Sequence, residues 1–312
     1  MTVNRRQVLL GAAALVVAGR ITAASQASAH SLSSRPTDAG LPATRPWRPG
    51  PDEVQPTVKA LATGLIEAIG AWSTGGGTPA AARTRAVRAG YDAALARSLD
   101  ALLASEPVAA VQVRDAQYGG ILTSSASVLV VMDQWLRQAD GTVVPGGTTI
   151  DVRLSKVHGS WRVIDAFPAH PAAASTHLSR AARVALSDPR IRLPFAAHAD
   201  VAAGGIHESV LKALTALAGD HVVDVSVLRS GHPLHVFGTS RLSDHPQGRA
   251  VDIWALDGRP IVVAGNHGLA AAAMRFGVAH GAYNVGGPVR LTGREYFSDD
   301  THHDHVHLGF AT

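Results

Sequence analysis

The sequence predicts an α+β protein built in two parts. Three observations carry this reading. Apolar residues recur at helical spacing from Val58 to Leu102, and the period changes to two between Val108 and Phe167. A Pro- and Ala-rich break at Pro168, Pro171 and Ala172–Ala174 then precedes a second set of helical and strand-like runs. Two helices followed by an antiparallel sheet are therefore expected over 52–170, and a further α+β unit over 175–312. A chain of 312 residues has room for both, since a domain takes about 100–200.

The chain opens on Asn4-Arg5-Arg6-Gln7-Val8-Leu9, an apolar run from Val8 to Ala18, and Ala27-Ser28-Ala29. That run is about 11 residues, short of the about 20 that a membrane-spanning helix needs. Paired arginines before it and an A-x-A site after it resemble a twin-arginine export signal over 1–29, cleaved before His30. The mature protein is then expected to be extracellular or wall-associated, with no transmembrane domain after cleavage. No cysteine is present, which excludes a lipoprotein anchor and disulfides. The formal net charge is +4. Losing Arg5, Arg6 and Arg20 with the signal brings it to about +1 with no basic run, which argues against a nucleic-acid partner.

Residues 30–51 hold Pro36, Pro42, Pro46, Pro49 and Pro51 and read as an extended, mobile linker. Val58, Leu61, Leu65, Ile66 and Ile69 form the stripe of a first helix, broken by Gly75-Gly76-Gly77 and Pro79. A second helix is expected from about Ala80 to Ala104, with Val87, Tyr91, Leu95, Leu99 and Leu102 on one stripe. Strand-like runs follow at Val108–Ala116, Ser124–Arg137, Thr148–Lys156 and Trp161–Ala166. This order is similar to the cystatin-like cone fold of nuclear-transport-factor-type domains, a resemblance that implies a binding or spacer role. Asp115, Asp133, Asp151 and Asp165 fall one per strand or strand end and are expected at solvated positions. Beyond the break, helices are expected near Thr176–Leu186, Ile206–Ala218 and Gly268–Phe276. The β-branched run Val222–Leu228 reads as a buried strand.

Two stretches of the second part carry chemistry. Ser243-Asp244-His245-Pro246-Gln247-Gly248-Arg249-Ala250-Val251-Asp252 fits S-x-H-x-x-G-x-A-x-D, and Asp304-His305-Val306-His307 ends in H-x-H. Five fixed residues match by chance on the order of once per million start positions. The pair resembles the metal site of the zinc D,D-peptidase and Hedgehog family, which includes bacterial cell-wall peptidases, over roughly the last 120 residues. Catalytic zinc takes three protein ligands and leaves one position open, and His245, Asp252 and His307 meet that count. Asp252 lies in the apolar run Ala250–Trp254, where a lone carboxylate is costly unless paired or metal-bound. Gly248 and Ala250 are expected where the turn passes close to the metal, and Ser243 where it orients a ligand or its loop.

The resemblance also implies roles. The family's peptidases carry an acid three residues before the last ligand, and Asp304 stands there as the expected general base. His305 matches the first His of H-x-H and is expected to stabilise the transition state, with the exchange of these two roles as the alternative. Strand alternation sets Asp304 on the face opposite His307, so it works only from the turn before the strand. The family places an arginine near a Ser-Gly-Tyr segment. Here Arg229-Ser230-Gly231-His232 has His in place of Tyr, and Arg229 is expected to polarise a carbonyl or hold a carboxylate. Glu295, Asp299 and Asp300 lie in the approach loop. The implied function is zinc-dependent hydrolysis of amide bonds in peptidoglycan peptide stems, with one Zn²⁺ per chain. The alternative is a non-catalytic, metal-stabilised envelope binding module or adaptor.

Overall fold

Residues 40–312 are described in a computed structural model, so the export segment and the start of the Pro-rich stretch lie outside the described residues. The rest of that stretch is not a free linker. Arg45 N donates to Gln112 Oε1 at 2.9 Å and Trp47 N to Glu67 Oε1 at 2.6 Å, while Trp47 packs against the core beneath. An extended chain keeps its backbone donors unpaired, and here they find side-chain partners on the adjoining helix and sheet.

Helix α1 spans Pro56–Gly70 and buries Val58, Ala62, Leu65, Ile66 and Ile69. Helix α2 spans Pro79–Arg88, with Thr78 Oγ1 accepting from Ala81 N at 3.2 Å as its cap. The single helix expected to Ala104 instead stops there, and α3 resumes only at Leu95–Ser98. Gly90 takes φ +86°, and Asp92 Oδ1 accepts from Ala94 N at 2.8 Å. A glycine stop and an aspartate start outweigh a continuous apolar stripe.

Strands β1 (Val108–Ile121), β2 (Ser125–Arg137), β3 (Val143–Val157) and β4 (Ser160–Pro168) form an antiparallel sheet in that order. Val111 and Val113 of β1 face the helices, and so do Ala116 and Tyr118. That change from odd to even follows from a register shift between Val113 and Asp115. One extra residue in a strand exchanges its faces, and it sends Gln117 away from the helices. The second face of the sheet is covered by the C-terminal half. A Cβ on Gly147 would lie 2.6 Å from Phe195, and one on Gly231 would lie 2.9 Å from Thr149.

This second cover corrects the expectation for the four aspartates. Asp133 is buried beside Arg114, at 2.6 Å, and Asp151 is buried between Arg153 and Ser127. Asp165 accepts from Ser98 Oγ at 3.0 Å, and Asp115 keeps a buried Oδ2 with no hydrogen-bond partner. The second cover leaves no solvated row for Asp133 and Asp151, whereas Asp165 is half-buried toward α3 and the edge strand β4 stays open at Ile164 and Phe167.

The C-terminal half continues with α4 (Arg180–Ser187), β5 (Ile191–Arg192), α5 (Phe195–Ala202), α6 (Glu208–Leu217) and β6 (Val223–Val227). It then runs through β7 (Ala250–Leu256), β8 (Arg259–Pro260), α7 (His267–Ala279), β9 (Asn284–Gly286), β10 (Tyr296–Phe297) and β11 (Val306–Gly309). The mixed sheet has the order β10-β9-β11-β7-β6-β5, with β8 on β7. Val210, Leu211 and Leu214 of α6 and Ala273 and Met274 of α7 close its core. Helix α7 lies so near the sheet that a Cβ on Gly277 would meet Leu308 at 2.3 Å. The fold class is thus mixed α+β, and the elements without an expectation are α5, a short helix opened by Pro194, and the two- and three-residue strands β5, β8, β9 and β10. No helix among the described residues is long and apolar enough to cross a membrane.

Candidate metal centre

Strands β7 and β11 run antiparallel with Asp252 directly opposite His307, which puts both side chains on one face. His245 reaches them from a 3-10 turn, His245–Gln247, that ends at Gly248 with φ +70°. A Cβ on Gly248 would stand 2.1 Å from Gly205 O. The glycine therefore serves an approach between two loops rather than room for a metal. Ser243 Oγ lies 3.4 Å from His245 N and steadies this turn.

Three expected ligand atoms converge. His245 Nε2 is 3.1 Å from Asp252 Oδ1 and 3.2 Å from His307 Nδ1, and His307 Nδ1 is 2.9 Å from Asp252 Oδ1. His245 Nδ1 donates to Leu228 O at 2.8 Å, which favours the tautomer with its lone pair on Nε2. Burial pushes the His307 imidazole down to about 4, so it stays neutral at neutral pH. Burial alone would raise the Asp252 carboxyl, but His245 and His305 outweigh it and hold it well below the usual range. Two imidazole nitrogens and a carboxylate oxygen thus face one point, an arrangement that a cation satisfies when both nitrogens present lone pairs. Donor atoms 2.9–3.2 Å apart are spaced as the ligands of one small cation, and imidazole nitrogen with carboxylate oxygen is a donor set that suits zinc.

Asp304 and His305 lie in the turn before β11, as the expected role of Asp304 requires. Their arrangement differs from the expectation in which one is base. His305 Nδ1 is 2.6 Å from Asp304 Oδ1, and His305 Nε2 reaches toward the centre, 3.7 Å from Asp252 Oδ1. Asp304 Oδ2 faces away. It accepts from Tyr118 N at 3.0 Å and pairs with Lys59 Nζ at 2.6 Å. Burial alone would raise Asp304, and the Lys59 ammonium and His305 hold it well below the carboxylate range. Burial would likewise lower His305, and Asp252 and Asp304 lift it to about 9.

The N-terminal half covers this group. Gln117 Nε2 donates to Asp252 Oδ2 at 2.6 Å, and Tyr118 OH donates to Val54 O at 2.9 Å. Lys59 also pairs with Glu53, and His303 Nε2 accepts from Val54 N at 3.1 Å. Glu53, His303 and Asp304 stand close enough to hold an ion, but the Lys59 ammonium already fills the cationic place between two of them. His245, Asp252, Asp304, His305 and His307 are all at most 6 % exposed.

Arg229 is not brought into the donor group. Its Nε donates to Pro246 O at 3.1 Å, and its backbone N donates to Asp200 Oδ2. It lines a groove of about 410 Å³ along the seam with Ser230, His232 and Leu234, opposite Asp151 and Phe167. His232 stacks on His245 with ring centroids 4.1 Å apart, so the groove wall is one imidazole from the centre. Asp299 caps its own turn by accepting from Thr301 N and His302 N, while Glu295 pairs with Arg294 and Asp300 is exposed.

Comparison with known proteins adds no relative. No family model matches the chain, and neither a curated protein nor a solved structure matches it. The site stands on its own geometry.

Sequence reasoning missed Lys59, Gln117, Tyr118 and His232 as members of this neighbourhood. Lys59 had a signal, as one of three lysines and set among the inward residues of α1. Gln117 had none, because its direction depends on the β1 bulge.

Proposed function

We propose that the protein is an exported zinc-dependent peptidase-like hydrolase acting on amide bonds in peptidoglycan peptide stems. In this reading the N-terminal half is a cystatin-like cone domain and the C-terminal half a zinc D,D-peptidase-like domain. The observation that carries it is the convergence of His245 Nε2, Asp252 Oδ1 and His307 Nδ1 beside a His305–Asp304 pair. The export segment and the two sequence motifs support the wall substrate. Bound zinc would polarise the scissile carbonyl and acidify the attacking water.

His305 then takes the part first expected of Asp304. Its Nε2 faces the centre while Nδ1 donates to Asp304, which fixes the ring and its tautomer. With a cation held by Asp252, the charge of that carboxylate on His305 would be offset and Nε2 would be available as a base. Nε2 then accepts a proton from the attacking water and returns it to the leaving amine. Asp304, with both oxygens engaged, orients this base and does not itself reach substrate. Arg229 and His232 line the groove by which a peptide stem would approach.

Elemental analysis should find one zinc per chain, most of it lost in His307→Ala. His305→Ala and Asp304→Asn should keep the metal, and His305→Ala should lose about 10²–10⁴-fold in muropeptide hydrolysis. The burial of the whole centre favours a second reading, a non-catalytic metal-stabilised envelope module. Wild-type protein that holds zinc and binds peptidoglycan but releases no fragment would decide for that module.

A further inference from the structure

Asp252 divides its two oxygens between the halves of the molecule. Oδ1 faces His245 and His307, whereas Oδ2 accepts from Gln117 Nε2 at 2.6 Å. Gln117 Oε1 in turn accepts from Ser226 Oγ on β6. Gln117 is 1 % exposed and Ser226 is fully buried, so water does not replace either bond. The partners fix the amide orientation, since the reversed amide would set its oxygen against a carboxylate oxygen. A short hydrogen bond to an ionised oxygen is about twice as strong as one between neutral groups.

We propose that the metal centre is shared between the two halves, with Gln117 as the positioning residue that restricts Asp252 to one ligating oxygen. This rests on the metal-site reading above. A carboxylate free at both oxygens can rotate or bind through both. Gln117 prevents this by occupying Oδ2, and Ser226 holds the amide against rotation. The bulge in β1 is what delivers Gln117 to this position. The N-terminal half thereby forms part of the centre's outer shell, and is more than a spacer.

The test uses the full mature chain with Zn²⁺ and Co²⁺ as probes. Gln117→Leu keeps the bulk and removes the hydrogen bond. Zinc affinity from chelator competition should fall about 10–100-fold, as for other losses of an outer-shell partner. The visible bands of the cobalt form should weaken and shift as Asp252 gains a second ligating oxygen. A merely structural defect would lower the unfolding midpoint of the metal-free protein without changing those bands. Ser226→Ala should move affinity and spectrum the same way by a smaller factor, and it decides the matter if Gln117→Leu does not fold. Unchanged affinity and an unchanged cobalt spectrum in the folded variant would overturn the proposal. Wild-type protein that binds neither metal would instead overturn the metal reading beneath it.

Discussion

The two oxygens of Asp304 answer to different halves of the chain, one to His305 and the other to Lys59 and Tyr118 N. A few residues away on the same seam, Asp115 is less well served. Its Oδ2 is buried without a partner, and burial pushes its carboxyl up to about 7, with Lys59 only partly opposing. The folded protein therefore binds a proton there that the unfolded chain has already released above about pH 4. The contribution of Asp115 to stability should fall as pH rises from about 4 to 7 and level off beyond, because the native state holds its proton across that window. Asp115→Asn should flatten this fall in urea unfolding; an unaltered pH profile would show that Asp115 does not cause it. At this scale the sequence was legible where chemistry is local. His245, Asp252 and His307, singled out by two short motifs and the family these resemble, do meet in space. Gln117 was not legible, because its partner lies 135 residues away.

Among elements, α1 does two kinds of work. Its apolar stripe packs on the sheet, and Lys59 beside that stripe reaches Glu53 and Asp304. Burial alone would lower the Lys59 ammonium, and the two carboxylates outweigh it and raise it. Lys59→Met should leave those carboxylates facing each other and cost about 3–5 kcal/mol in unfolding free energy. Adding Glu53→Gln should recover part of the loss, a coupling that a double-mutant cycle reads directly. Equal and additive losses would mean that the three groups do not act together. Periodicity placed α1, α6, α7 and the four long strands, because each repeats its pattern over several turns or residues. It failed where one residue reverses the pattern, at Gly90 after α2 and at the β1 bulge.

At the scale of the molecule the described residues form two apolar cores, and the sequence marks both. What it does not mark is how they meet. The seam is polar: Lys59, Glu53, Gln117 and His303, each of which alone reads as an ordinary charged or polar residue, meet there with Asp252 and Asp304. Hydrophobic pattern finds cores because burial of apolar area is periodic along an element. A buried polar contact between distant segments has no such period.

The lid formed by Gln117, Tyr118 and Lys59 over the donor atoms also sets a clock. A chelator in solution meets atoms that are at most 6 % exposed, so an ion leaves only when the seam opens. The release rate should then stop rising with chelator concentration and settle at the frequency of that opening. Lys59→Met, which loosens the seam, should raise that limiting rate. Release that climbs in proportion to chelator without a plateau would mean that the ion exchanges through the closed molecule. On the export reading proposed above, a slow clock would let the protein keep across the membrane an ion bound before export.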